Sequence, residues 1–246
     1  MSDFERYGDY NEIDEPPKKS VVGTILKIFI VILCLGVVGF MVFRVILFNH
    51  YPREMKNIYF TEELTEHYNN TSGNIGALTQ DMLNSRNYGY DDAKEGNFFC
   101  KHFVYIPATE ELQITLRYNV SLMTKIEEEF GISLDRDSKD NFSYRLVAMR
   151  KNDTVDEDLP AEQLGTPMEA EVVAEEYDSF LMYRYVRLVF DGVKLNDGEE
   201  NEVDWIRLEV SINGVELEKP HMIAIYLNDD ERFPLVPYKL SSKEKP

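Results

Sequence analysis

Between Val21 and Phe48 lie 28 residues of which only Lys27 and Arg44 are charged. Wound as a helix at 1.5 Å per residue, the segment would be about 42 Å long, against roughly 30 Å of bilayer hydrocarbon. Its middle, Ile28 to Phe43, is 16 residues without a charge. Lys27 and Arg44 flank that middle, and their long stems can snorkel toward opposite headgroup layers. A core helix of a soluble protein would be polar on one face, and this one is apolar all round. A cleaved signal peptide would need a short basic leader and a small-residue cleavage site. Here the leader is twenty residues and acidic, and the apolar core is followed by Arg44 to Pro52, which hold nothing like Ala-x-Ala. The segment 21–48 is predicted to be a transmembrane helix, with the lipid bilayer as its partner.

Arg6, Lys18 and Lys19 precede the span, and Arg53 and Lys56 follow it. Three cations against two set the N-terminus inside and residues 49–246 outside the plasma membrane, since acidic groups count little in that rule. Residues 1–20 are polar, contain Pro16-Pro17 and lack periodicity, so they read as a disordered cytoplasmic tail. The first 48 residues carry five basic and six acidic side chains, so nearly all of the formal charge of -19 lies in residues 49–246. That sign excludes a nucleic-acid partner, which needs clustered Lys and Arg, and it repels anionic lipid. With 43% hydrophobic and 12% aromatic residues, the chain also has enough apolar surface to build a core.

Cys34 lies in the span and Cys100 is alone beyond it, so the outer part has no internal disulfide. Animal extracellular domains of this size usually carry disulfides; an outer domain without them fits a bacterial cell with a single membrane. Five Asn-x-Ser/Thr triplets begin at Asn69, Asn70, Asn119, Asn141 and Asn152. They would be glycan acceptors only in a eukaryotic secretory context, and are read as coincidence.

Residues 49–97 read as a juxtamembrane stalk or partly helical collar. Leu64 with Tyr68, and Ile75 with Leu78 and Met82, have helical spacing on either side of the turn-rich Asn69–Asn74. From Phe98 the period becomes two. Leu112, Ile114, Leu116, Tyr118 and Val120 alternate with Gln113, Thr115, Arg117 and Asn119, the pattern of an antiparallel strand with one buried face. Strands are predicted at 98–106, 111–120, 142–150, 170–176, 181–190, 203–212, 221–227 and 235–240. Asn213-Gly214 and Asp191-Gly192 predict type I′ hairpin turns. Thr124-x-x-Glu127 fits a helix capping box with Gly131 as the stop, and a further helical turn is predicted at 161–164. No βαβ rhythm is present. Residues 98–246 are therefore predicted to form an antiparallel, immunoglobulin-like β-sandwich with one or two short helices, without the Cys…Trp…Cys framework of true immunoglobulin domains.

Chemistry-bearing patterns are sparse, and neither a catalytic residue nor a cofactor is assigned. His50, His67, His102 and His221 lack metal-ligand spacing, although His102 and His221 fall in or beside strands. Asp135-x-Asp137-x-x-Asp140 resembles half a calcium loop but lacks the EF-hand glycine, and Asp140 takes its place. The acidic runs at Asp153–Asp158 and Asp197–Glu202 read as solvated loops. Cys100 reads as a buried structural thiol, and Tyr183, Tyr185, Trp205, Phe103 and Tyr105 as sandwich core rather than a ligand platform.

In architecture the chain resembles the single-pass, membrane-anchored extracytoplasmic β-sandwich proteins of Gram-positive bacteria: an acidic tail, one span and a disulfide-free sandwich. The resemblance carries over no functional residues. It implies a non-enzymatic binding or structural module displayed at the outer membrane face, with an envelope polymer or another protein as partner. A transmembrane sensor is the first alternative and an envelope glycan-acting enzyme the second.

Overall fold

The structure, a computed structural model, describes residues 21–50, 52, 54–79, 98–136, 138, 140–150, 165–195, 203–215, 221–226, 235–241, 244 and 246. The chain divides into two units at His50/Tyr51. The first contains helix α1, Val21–Asn49. Its large apolar side chains from Val22 to Ile46 are 44–75% exposed. In length and composition α1 is able to cross a membrane, as its sequence predicts. Lys27 and Arg44 stand on it 17 residues apart, about 26 Å along the axis.

The second unit is mainly β. One sheet has six strands in the order β10-β1-β2-β3-β7-β6, where β1 is Leu78–Thr79, β2 Phe98–Ile106, β3 Glu111–Asn119, β6 Glu171–Phe180, β7 Tyr183–Asp191 and β10 Val236–Pro237. The other has four in the order β5-β4-β8-β9, with β4 Phe142–Arg150, β5 Thr166–Pro167, β8 Val203–Ile212 and β9 His221–Tyr226. Every strand pairing among the described residues is antiparallel.

Alternation along the strands builds one core between the sheets. Phe103, Leu112, Ile114, Leu116, Val186 and Leu188 from the first sheet meet Leu146, Ile206, Leu208 and Val210 from the second. Phe98 and Tyr118 on one side hold Phe142 on the other, with ring centroids 5.3–5.4 Å apart. Edge-to-face contacts of this kind add about 0.5–1.5 kcal/mol beyond the area they bury. Helix α3, Val120–Phe130, adds Leu122, Met123 and Ile126 to the same core.

A second, smaller core lies on the opposite face of the six-stranded sheet. Ile58, Leu64, Ile75 and Ala77 pack there on Val104 and Ile106. Leu64 belongs to helix α2, Glu62–Asn70, whose N-cap Thr61 accepts a hydrogen bond from the Leu64 N–H at 3.1 Å. The part of 49–97 that reads from the sequence as a stalk or collar thus belongs, over 54–79, to the folded unit. Tyr238, just after β10, joins this cluster and donates its N–H to the Ala77 carbonyl at 2.8 Å.

This second layer explains where the expectation of a solvated strand face fails. Gln113, Thr115 and Arg117 are 1–4% exposed, buried like the inner residues with which they alternate. Other boundaries also differ. Asn119, not Thr124, caps α3: its side chain accepts from the Ser121 N–H at 2.9 Å. Glu127 instead binds the Leu134 N–H and the Arg136 guanidinium, while Gly131 stops the helix at φ 64° as expected. Asp191-Gly192 makes no hairpin, because the chain crosses to the other sheet after the Val193 N–H binds the Glu110 carbonyl at 2.7 Å. Asn213-Gly214 does follow β8, but only Gly214 has positive φ, so the turn is not type I′. Leu78 lies in a strand, and the segment 181–190 is the second arm of a β6–β7 hairpin whose two-residue turn is Leu181-Met182. Leu181 holds φ 52°, a conformation that costs a non-glycine residue about 1–2 kcal/mol. Residues 1–20, 161–164, Met82, Asn152 and the runs 153–158 and 197–202 lie outside the described residues.

Candidate functional site

A group of buried polar side chains lies between the six-stranded sheet and residues 54–61. Strand register sets its rows. Outward from the sheet, His102, Thr115, Arg187 and Glu176 form one row across β2, β3, β7 and β6, and Phe99, Arg117, Tyr185 and Asp178 form the next. Along β3 the outward side chains are Glu111, Gln113, Thr115 and Arg117.

The segment 54–61 is fastened to these rows by several residues. The Thr61 hydroxyl donates to the Glu111 carboxylate. Gln113 accepts from the Tyr59 N–H at 2.8 Å and donates its amide to the Tyr59 carbonyl at 2.7 Å. Arg187 donates to the Asn57 carbonyl at 2.5 Å and the Glu54 carbonyl at 3.2 Å, is ion-paired with Glu176, and lies 5.7 Å from the Tyr59 ring. Arg187 is 3% exposed, so its charge is compensated inside the fold. Tyr238 closes the group from the other side, with its hydroxyl 3.3 Å from the Lys56 carbonyl and 2.6 Å from the Glu244 carboxylate.

The burial shows in proton affinities. Glu111 is raised: desolvation and the nearby Glu63 and Asp191 charges outweigh its hydrogen bonds from Thr61 and Gln113. His102 is lowered to about 4 by burial and by Arg187, against a partial opposing pull from Glu244. It is neutral at physiological pH and its ring faces Tyr238, centroids 6.1 Å apart. Lys101, at the bulge in β2, is lowered to about 8 by partial burial and by Arg117. Arg117 lies between two rings, 5.3 Å from Phe99 and 4.7 Å from Tyr183.

The opposite, four-stranded sheet carries a second charged group, with Glu209 between Arg207 at 2.9 Å and Arg145 at 2.5 Å. A surface cleft of about 440 Å³ opens at the end of the sandwich near Glu110, Arg150, Thr166, Met168, Glu169 and Lys194. It mixes both signs of charge, and Lys194 stands 3.7 Å from Glu110.

The sequence candidates are distributed as follows. Asp135 and Asp140 are exposed, and Asp137 lies outside the described residues. The carbonyls of this loop are engaged: Asn141 donates to Asp135 at 2.5 Å and Asn213 to Asp140 at 2.8 Å. Among the described residues no three His, Cys, Asp or Glu side chains are grouped to hold a metal. His102 is on the six-stranded sheet, whereas His221 opens β9 of the other. The Cys100 thiol is buried, lies 3.6 Å from the His102 carbonyl and is pushed up to about 12 by burial, which leaves it inert. Phe103 and Tyr105 face the core, Tyr183 and Tyr185 face the opposite side of the same sheet, and Trp205 is in the other sheet, so the five make no single platform. Asn119 and Asn141 spend their amides on a helix cap and a loop. This row is invisible in local sequence: Gln113 and its neighbours on β3 read as a solvated face until the segment that covers Gln113 is known.

No protein-family model, curated protein or solved structure matches this chain.

Proposed function

We propose that the chain is a membrane-anchored, non-enzymatic binding or structural module, displayed outside a bacterial plasma membrane and contacting an envelope polymer or another protein. One observation carries this reading. Residues 54–61, which follow the apolar helix in the chain, are bound into the sandwich by Glu111, Gln113 and Arg187. The buried charged groups of that face are thereby committed to holding the chain's own backbone. Protease added to cells stripped of wall tests the topology: residues 51–246 should be digested and 1–20 spared. Protection of the folded unit would overturn the placement. Capture from the native envelope with the full chain in its membrane should then retain a polymer or protein, and recovery of nothing above a Val21–Phe48 peptide control would overturn the binding role.

The sensor reading is favoured by the same connection from another side. Hydrogen bonds from side chains to backbone are reversible, so displacement of residues 54–61 is a change that an outer ligand can transmit. Deleting residues 1–20 separates the two: a sensor loses its output and a display module keeps its function.

A further inference from the structure

The cleft at the end of the sandwich draws its walls from both sheets, and the core fixes them. Glu110 comes from the turn between β2 and β3, and Lys194 from the crossover that leaves β7. Arg150 ends β4, and Glu169 follows β5 on its way to β6. In the crossover Val193 and Leu195 are 0% and 4% exposed and belong to the main core, so Lys194 between them stands outward. Three hydrogen bonds pin this stretch. The Val193 N–H donates to the Glu110 carbonyl at 2.7 Å, and the Val203 N–H to the Leu195 carbonyl at 3.0 Å. The Tyr105 hydroxyl donates to the Val193 carbonyl at 3.2 Å. Glu110 holds φ 52°, where a turn ordinarily uses glycine or asparagine, so a charged side chain is kept on this rim against local backbone preference.

The floor of the cleft is apolar: Ala148 is in the main core and Met168 packs against it. The rim carries two cations, Arg150 and Lys194, and two anions, Glu110 and Glu169. Lys194 and Glu110 are 3.7 Å apart with side chains 60% and 45% exposed, a solvent-screened pair that a ligand can displace at little cost. A lone anion would meet two carboxylates here, and a lone cation an ammonium and a guanidinium. Among the described residues the lining has no aromatic ring on which a neutral sugar could lie flat. Pro167, in the strand that ends the four-stranded sheet, has no N–H to give, so the wall does not take up a ligand as an added strand. What fits is a small group that carries both charges and an apolar part. The volume of about 440 Å³ is within the roughly 300–1,000 Å³ of small-ligand sites.

We propose that this cleft binds a short peptide segment carrying a carboxylate and an ammonium group. The carboxylate lies at Lys194 and Arg150, the ammonium at Glu110 and Glu169, and an apolar side chain over Met168. This rests on the reading of the chain as a binding module and gives its partner a chemical class.

The test uses the full chain in detergent micelles and the tripeptide Ala-Leu-Ala, titrated in a calorimeter beside its N-acetylated and C-amidated forms. The free tripeptide should bind once per chain. Each blocked form should bind about tenfold more weakly or worse, the size of one lost charge-assisted hydrogen bond. Lys194→Ala should weaken the free tripeptide to the same extent yet leave the affinity for the amidated form unchanged, because the group that Lys194 serves is already gone. Glu169→Gln should do the same with the acetylated form. Both positions are exposed, so the melting temperature should stay level in both variants, which separates lost binding from lost fold. Equal binding of free and blocked forms, or affinities unmoved by Lys194→Ala and Glu169→Gln, overturns the proposal. Absence of binding at millimolar tripeptide also overturns it. Successful envelope capture by the same chain would then leave the binding role standing, whereas failure of both overturns the two together.

Discussion

Gln113 grips Tyr59 at both backbone atoms, accepting from its N–H at 2.8 Å and donating to its carbonyl at 2.7 Å. A side-chain amide here does what a neighbouring strand does elsewhere, and so ties a segment that is not in the sheet to the middle of it. Replacing Gln113 by Ala leaves a buried N–H and C=O without partners, which should cost about 1–3 kcal/mol. Hydrogen exchange checks the location: the Tyr59 amide should lose protection while amides in β4 and β8 keep theirs.

Arg187 serves two carbonyls, one carboxylate and one ring from a buried position. Arg187→Ala should destabilise the fold by about 3 kcal/mol or more, because the geometry around it was built for a cation. Arg187→Lys should recover little of this, since an ammonium cannot reproduce the forked donation to Asn57, Glu54 and Glu176. Urea melts of the three proteins decide it, and full recovery by lysine would contradict the forked role.

His102 predicts a pH dependence whose sign follows from its lowered value of about 4. The unfolded chain takes up a proton near pH 6.5 and the folded chain resists it until about 4, so stability should fall as pH drops through that window and level off below it. Glu111, raised in the fold, works in the opposite direction. The comparison is therefore wild type against His102→Gln: the variant's stability should decline less between pH 6.5 and 4. Parallel curves would show that His102 does not carry the acid loss.

Leu116 and Thr115 are adjacent on β3 and both are buried, yet their replacements should act in opposite senses. Leu116→Ala opens a cavity in the main core and should cost about 2–5 kcal/mol. The Thr115 hydroxyl is buried without a hydrogen-bond partner among the described residues, so Thr115→Val should be neutral or stabilising by up to about 1 kcal/mol. Thermal melts read both, and a large loss in Thr115→Val would reveal a partner for the hydroxyl.

For the acidic loop at Asp135–Asp140, calcium and magnesium at matched ionic strength should raise the melting temperature by similar small amounts, through screening of an acidic surface. A specific site at 100 times its dissociation constant would add about 2.7 kcal/mol for calcium alone. Such a rise, abolished in Asp135→Asn, would establish a metal site.

Residues whose neighbours are close in sequence, or whose pairing follows the pleat, were legible from the start. Strands 98–106, 142–150 and 203–212 have the predicted bounds because their alternation matches a core on one side. The Leu64–Tyr68 spacing became α2, and Gly131 stops α3. What escaped depended on distant chain. Gln113 carries the polar signature of a water-facing residue, and only the return of residues 54–61, more than fifty positions earlier, turns it inward. Likewise Asp191-Gly192 has ideal hairpin chemistry, but Phe190 must pair with Leu112 while the next strand belongs to the other sheet. Local turn preference yields to the burial of a whole strand.

The bond between the Tyr238 hydroxyl and the Lys56 carbonyl joins groups 182 residues apart. It has a consequence for biosynthesis. The anchor and residues 54–61 emerge from the ribosome early, but the clasp over them cannot close until the segment after β10 has been made. For most of translation the outward row of β3 waits for a covering that is only partly in place, and contacts of such long sequence separation form slowly. A nascent chain stalled before residue 236 should therefore expose His102, whose ring faces Tyr238, to solvent, and quality-control proteases would meet this protein as a half-closed intermediate.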